Sequence, residues 1–388
     1  MNFRRLKNAF LSGLFGAVGL LTVGVVSGNC VWDCVCDATA IATSTTATTA
    51  RAAEGDLLDV RDSADAPVKM IFDTDIGGDI DDAFALGLIH RLADRGAVEL
   101  IGVTLTNANE PAGRFVAALN AKYGRPNISV GVASESTKVF DEYPSKTLAQ
   151  KTADGAAEYP VPDGFKLEES VSLLRRLLAE AEDGSVVIVQ VGYASNLAAL
   201  LETPGDDVSP LTGRELAAKK VRLVSLMAGA FSFDDSTAAY RDHKEWNVIC
   251  DIPAMQKFAA DWPTPAVFSG YETGDRVHMS PTNLKNDYRR SPTSKILYDA
   301  FGHWTARNTK EGYDHRRPTW DLTSVLFVAR PESGRGYFAL SEAGEVDVRD
   351  DGLTTFKPDA NGRRRVFILD EAARIRVEEA FVNLCSEP

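Results

Sequence analysis

Cysteine and histidine are scarce in this chain, five of each in 388 residues. Cys30, Cys34 and Cys36 crowd the N-terminal segment with no fourth ligand nearby, so their spacing is a poor match to a metal knuckle. Cys250 and Cys385 remain, as a pair in an oxidising compartment or as buried free thiols, and their spacing decides nothing between these. Positive charge is short as well. Lys and Arg number 42 against 55 Asp and Glu, a net charge of -13. That balance excludes a nucleic-acid backbone as partner, because phosphate binding requires a basic patch. Arg363-Arg364-Arg365 is the one short basic run, and a solvated turn explains it. There is no internal repeat.

What is present is acid in one place. Asp73-Thr74-Asp75-Ile76-Gly77-Gly78-Asp79-Ile80-Asp81-Asp82 sets five carboxylates and two glycines between two apolar runs. Carboxylates so close repel one another unless they are protonated, paired or neutralised by a cation. A cluster free of Cys and His suits a hard ion such as Ca²⁺ or Mg²⁺, which takes oxygen ligands. Val68 to Phe72 is short, apolar and partly β-branched, the pattern of a buried strand. From Ala83, the residues Phe84, Leu86, Leu88, Ile89 and Leu92 recur at helical spacing as far as Gly96. The spacing therefore predicts strand, glycine turn, helix. Asp81 and Asp82 fall in the first helical turn, where free N–H groups and the dipole favour carboxylates. Gly77 and Gly78 allow the turn that brings Asp75 back toward that pair. In open α/β sheets ligands collect beyond the carboxyl ends of strands, and the cluster lies there.

At these residues the chain resembles the inosine-uridine-preferring nucleoside hydrolases, calcium-dependent N-ribohydrolases with an Asp-x-Asp, glycine, Asp-Asp-Ala loop near the N-terminus. DTDIGGDIDDA is similar to the longer bacterial form of that loop. The likeness recurs in order. Ile101-Gly102-Val103-Thr104 with Asn109 resembles the second strand and a pocket asparagine. The run VIVQVGYASNLA beginning at Val187 resembles a strand ending in GPLTNLA. Ser225 to Ala230 stands where the family has its MGG segment. Glu245-Trp246-Asn247, with Asp251 and Pro253, resembles the EFN…DP element, and Trp320-Asp321-Leu322-Thr323 stands at the late aspartate.

The resemblance implies roles residue by residue. Asp75 is implied as a calcium ligand and as the base that takes a proton from the metal-bound water. Asp82, the main-chain carbonyl of Val191 and the carboxylate of Asp321 are implied as the other protein ligands of Ca²⁺. Asp81 and Asn247 are implied to hold the ribose hydroxyls, with Asn109, Met227 and Glu245 completing the sugar pocket. Asp79 has the spacing of the pair in the shorter loop, but Ile80 follows it, so Asp81 and Asp82 align with the pair and Asp79 stands outside. The implied reaction is hydrolysis of the N-glycosidic bond of ribonucleosides, for purine or pyrimidine salvage. A carboxylate-rich pocket suits it, because positive charge builds on the sugar in an oxocarbenium-like transition state.

Two departures leave alternatives open. Trp320 stands where well-studied members carry histidine, and an indole N–H donates without titrating. The loop around Asp154 and Gly155 also lacks the histidine that relatives often have. Stacking and hydrogen bonds could activate the base instead, or His315, with His243, His278 and His303 behind it, could supply the proton. The alternatives are an exported calcium-dependent nucleoside or sugar binder with little turnover, and a hydrolase of another N-riboside. Base contacts are expected on loops around Phe140 to Pro162 and Phe231 to Lys244. Relatives imply a homo-oligomer, dimer or tetramer.

Arg4, Arg5 and Lys7 precede an apolar stretch from Ala9 to Val26, the pattern of a secretory signal or a retained anchor. Residues 1–40 are read as that element and 41–66 as an Ala/Thr-rich spacer. The expectation is an exported protein, periplasmic or extracellular, touching a membrane only through this segment. Residues 67–388 are read as one catalytic domain. Strand and helix alternate through it: helix Ser170 to Glu182, strand Val186 to Val191, helix Asn196 to Leu201, strand Val221 to Met227, helix Pro253 to Ala260, strand Ala266 to Ser269. This predicts an α/β fold, a mainly parallel sheet with helices on both faces. Gly336 to Leu340, Glu345 to Arg349 and Arg365 to Leu369 predict a small antiparallel appendage at the C-terminus.

Overall fold

Strand β1, Val68–Thr74, sends successive side chains to two different cores: Met70 and Phe72 to one, Ile71 to the other. Alternation of this kind marks a strand covered on both faces, and each fully buried apolar side chain contributes roughly 1.5–3 kcal/mol. The computed structural model that shows this describes residues 66–330 and 336–385. The segment read as signal or anchor, and all of the spacer but Ala66, lie outside the described residues. Within them, no helix is long and apolar enough to cross a membrane.

The remaining strands are β2 (Val98–Leu105), β3 (Ser129–Val132), β4 (Glu168–Glu169), β5 (Val186–Gln190), β6 (Val221–Met227), β7 (Ala266–Ser269), β8 (Ala339–Leu340), β9 (Gly344–Val348), β10 (Thr354–Pro358) and β11 (Arg364–Ile368). Their order is β10-β9-β11-β7-β6-β5-β1-β2-β3-β4, with β8 against β11. From β7 to β4 every pairing is parallel. The chain runs outward from β1 through β2 and β3, then returns to β5 on the other side. The β1/β5 boundary is thus the switch point of the sheet, where ligands collect.

One face carries α1 (Asp81–Asp94), α2 (Glu110–Lys122), α8 (Lys295–Asn308), α9 (Trp320–Ala329) and α10 (Glu371–Cys385). The other carries α3 (Ser170–Glu180), α4 (Ser195–Glu202), α5 (Gly213–Lys220) and α7 (Ile252–Asp261), with the short α6 (Trp246–Cys250) before it. The α/β class with helices on both faces is as expected. The C-terminal strands are antiparallel, as expected, and they extend the main sheet rather than stand apart. β9 pairs antiparallel with β10 and β11, and β11 runs parallel to β7.

Arg363 to Arg365 corrects an expectation. Arg364 and Arg365 open β11 instead of forming a solvated turn, with Arg363 exposed just before it, and Arg364 is buried with its guanidinium donating to the carbonyls of Ala259, Trp262 and Thr264. Five donors in a fixed fork suit an arginine to gathering the carbonyls left at a helix end. Cys250 and Cys385 are both buried free thiols.

Candidate active site

The acidic loop leaves β1 at its carboxyl end and enters α1 at Asp81, as the alternation of periods predicts. Gly77 sits at φ 125°, and a Cβ there would meet Asn107 Nδ2 at 2.7 Å and the Phe140 carbonyl at 2.8 Å. Only glycine fits both the conformation and the space. Asn107 ties the loop down, its Nδ2 donating to the carbonyls of Ile76 at 3.0 Å and Phe140 at 2.9 Å. On the β5 side, a Cβ on Gly192 would meet Thr106 Oγ1 at 2.5 Å and the Asp75 nitrogen at 2.6 Å. Its absence lets the end of β5 close against the end of β1.

Asp73 is fully buried, with Oδ1 accepting from Thr104 Oγ1 at 2.6 Å and Asn196 Nδ2 at 2.7 Å while Oδ2 has no partner. Burial pushes it up to about 7 against those two donors. Asp75 lies beside Asp82, whose carboxylate also accepts from the Thr74 hydroxyl. Burial raises Asp75 to about 6, eased by the Tyr193 hydroxyl, which stands next to it outside the geometry of a full hydrogen bond.

Oxygens of Asp81, Asp82 and Asp321 all lie within 4.8 Å of one another, and all three residues are buried. The Asp321 N–H, at the start of α9, donates to Asp81 Oδ2 at 3.3 Å. Burial, and then mutual repulsion, holds all three carboxyls well above the usual range. An all-oxygen set of converging buried carboxylates is what a hard divalent cation needs, so the residues fit such an ion. Asp81, which the resemblance assigns to ribose, thus stands in this acidic trio, and Asp75 adjoins it through Asp82.

A cavity of about 350 Å³ opens over this floor. That is at the small end of the roughly 300–1,000 Å³ of ligand pockets. Asp75, Asp81, Asp82, Val191, Met227, Glu245, Asn247, Trp320 and Asp321 all line it. Asn109 does not. It precedes α2, and its amide donates to the Phe140 carbonyl at 2.6 Å, which fastens the loop that carries Phe140. Asn247 Nδ2 donates to the carbonyls of Val191 and Met227, at 2.9 and 3.1 Å. Glu245 caps α6, accepting from the N–H groups of Asn247, Val248 and Gly229, and burial raises it to about 7.

No histidine lines the cavity. His315 pairs with Glu311 at 2.9 Å, His303 with Gln150 at 2.7 Å, and His278 faces Glu378. His243 packs tilted against Tyr271, ring centres 3.9 Å apart, and Tyr271 itself lines the wall. Of the loops expected to meet the base, the first brings Phe140 and Glu142 to the cavity and the second brings nothing. The rest of that wall is Trp246, Tyr271, Trp304, Asn308, Arg317 and Trp320. Sequence reasoning missed Trp304, Asn308 and Arg317, which carry no motif. Asp79 also lines the cavity and pairs with Arg317, whose Nε donates to its Oδ1 at 2.9 Å.

The sequence pattern of inosine-uridine preferring nucleoside hydrolases matches residues 70–378. The chain belongs to that family. Family members are N-glycosidases that depend on a metal, and the acidic trio lies where the shared loop meets the late aspartate. Three solved nucleoside hydrolases have similar folds. The plant enzyme PpNRh1 matches with a TM-score of 0.60 and 23% identity, over 83% of this chain and 100% of its own. The inosine-uridine preferring enzyme of Bacillus anthracis gives 0.57 and 17%, over 81% and 99%. The purine-preferring ribonucleoside hydrolase of Gardnerella vaginalis gives 0.58 and 18%, over 82% and 99%. Among curated protein sequences, none matches this chain significantly.

Proposed function

We propose that this protein hydrolyses the N-glycosidic bond of ribonucleosides, giving ribose and free base, with Ca²⁺ as its metal. The observation that carries the reading is that Asp75 and the acidic trio together line one cavity, whose far wall is aromatic. A bound divalent cation supplies a fixed water of lowered pKa at this floor. Asp75, Asp82, Asp321 and the Val191 carbonyl hold that ion. Asp75 takes a proton from the attacking water, as a general base held within reach of it. Asp81 and Asn247 orient the ribose hydroxyls, with Met227 and Glu245 beneath the ring. The surrounding carboxylates favour the positive charge that grows on the sugar. Trp320 and its aromatic neighbours cover the base.

The chain acts outside the cytoplasm in this reading, delivered by its N-terminal segment, and assembles as a dimer or tetramer. A second reading is a calcium-dependent nucleoside binder with little turnover, favoured by the absence of histidine from the cavity wall. Free ribose, assayed with a panel of nucleosides and with Asp75→Asn beside the wild type, separates the two. The hydrolase reading expects ribose from at least one nucleoside, lost on chelation and lowered at least 100-fold by the variant. Equal, trace release from both proteins would favour the binder.

A further inference from the structure

Among the described residues lining the cavity, Arg317 is the one cation, and every other charged side chain is a carboxylate. Its guanidinium lies 4.8 Å from the ring centres of both Trp304 and Trp320. Asp79 holds one edge of it, through Nε and Nη2. A guanidinium has five N–H groups in a rigid fork. Two go to Asp79, and no hydrogen bond to another described residue takes the remaining three. One of these on Nη1 and one on Nη2 point the same way, along the open end of the fork. Two neighbouring donors of this wall are engaged: the Trp320 indole with the Tyr271 carbonyl at 3.1 Å, the Asn308 amide with the Trp304 carbonyl at 3.0 Å.

We propose that Arg317 receives the departing base, donating hydrogen bonds to it as negative charge develops, so that no titrating acid is required on this wall. The proposal rests on the hydrolase reading above. As the C1′–N bond breaks, its electron pair passes to the base. The water oxygen bonds to C1′, one water proton goes to Asp75, and the base takes its proton from solvent, to which Asp75 later returns one. Arg317 keeps all its protons and acts by charge and hydrogen bonding alone. A fixed donor aimed at charge that appears only in the transition state contributes roughly 10²–10³ in rate. The indoles set the plane of the fork and Asp79 sets its rotation, which gives the extra acid of the longer loop a positioning role. A free two-donor edge matches two adjacent acceptors, as N7 and O6 of a 6-oxopurine present. Adenine offers a donor in place of O6, so inosine is expected to be preferred over adenosine.

The test compares inosine, adenosine and p-nitrophenyl β-D-ribofuranoside, whose phenolate departs without help from a donor. Arg317→Met should lose about 100-fold or more in kcat on inosine and less than about 10-fold on the nitrophenyl riboside, and should lose its preference for inosine. Arg317→Lys keeps the charge without the fork and should show the same ordering with a smaller loss. Equal losses on inosine and the nitrophenyl riboside would overturn the proposal, as would undiminished inosine turnover or an unchanged preference. A wild-type protein inactive on all three would instead overturn the hydrolase reading beneath it.

Discussion

The side-chain amide of Asn247 donates to the main-chain carbonyl of Val191 at 2.9 Å, and so joins a residue assigned to ribose to a carbonyl assigned to the metal. The same amide reaches the Met227 carbonyl at 3.1 Å, across the ends of β5 and β6. Asn247 therefore fixes where the Val191 oxygen points as well as what meets the sugar. Asn247→Leu should weaken both. Groups that orient metal ligands typically cost about 10–100-fold in affinity when removed. Calcium affinity by calorimetry should fall in that range, and KM for nucleoside should rise in calcium-saturated enzyme.

Metal-free protein should become less stable as pH rises. In the folded chain burial lifts Asp75 to about 6 and Asp73 and Glu245 to about 7, with Asp81, Asp82 and Asp321 well above the usual range. Unfolded carboxyls titrate near ~4. Between those values the folded state holds more protons than the unfolded one, so stability is present below about pH 4 and is lost as pH rises through the folded values. Melting in EDTA should show Tm falling from pH 5 to pH 8. Calcium should flatten that fall by stabilising the ionised cluster. A Tm that rises over the same range in EDTA would contradict the assignment.

Gly77→Ala should damage the loop without touching a carboxylate. The residue must adopt φ 125°, and its Cβ would press on Asn107 and the Phe140 carbonyl. Backbone strain of this kind costs about 1–3 kcal/mol. Urea denaturation should show a loss of that order, together with weaker calcium binding, because Asp75 and the Asp81/Asp82 pair are brought together by this turn.

Much of the site was legible in the chain because Asp75, Asp81 and Asp82 lie within ten residues, at a switch from alternating to helical apolar spacing, whereas Asp321 comes from a distant helix. Val68 to Phe72 and Phe84 to Leu92 announce the strand and helix that hold them, and the structure places β1 and α1 there. Asp79 and Arg317 were not legible as a pair. They are 238 residues apart, and Arg317 lies in a stretch with no periodic pattern. Trp304 was hidden for a related reason: it is presented to the cavity from α8, on the same core face as Phe301 and Ile296, and reads like any buried aromatic. β10 escaped because Thr354–Pro358 is a mostly exposed strand at the end of the sheet, where one face need not be apolar. Arg364 misled because a basic run ordinarily seeks water, whereas this one collects the carbonyls around the end of α7.

The most direct test of the account is a calorimetric titration of metal-free protein with Ca²⁺, run on the wild type and on Asp82→Asn. The account predicts one ion per chain for the wild type and at least 100-fold weaker binding in the variant, because Asp82 touches both Asp75 and the trio with Asp81 and Asp321. Absence of binding to the wild type, or the same affinity in both proteins, would contradict it.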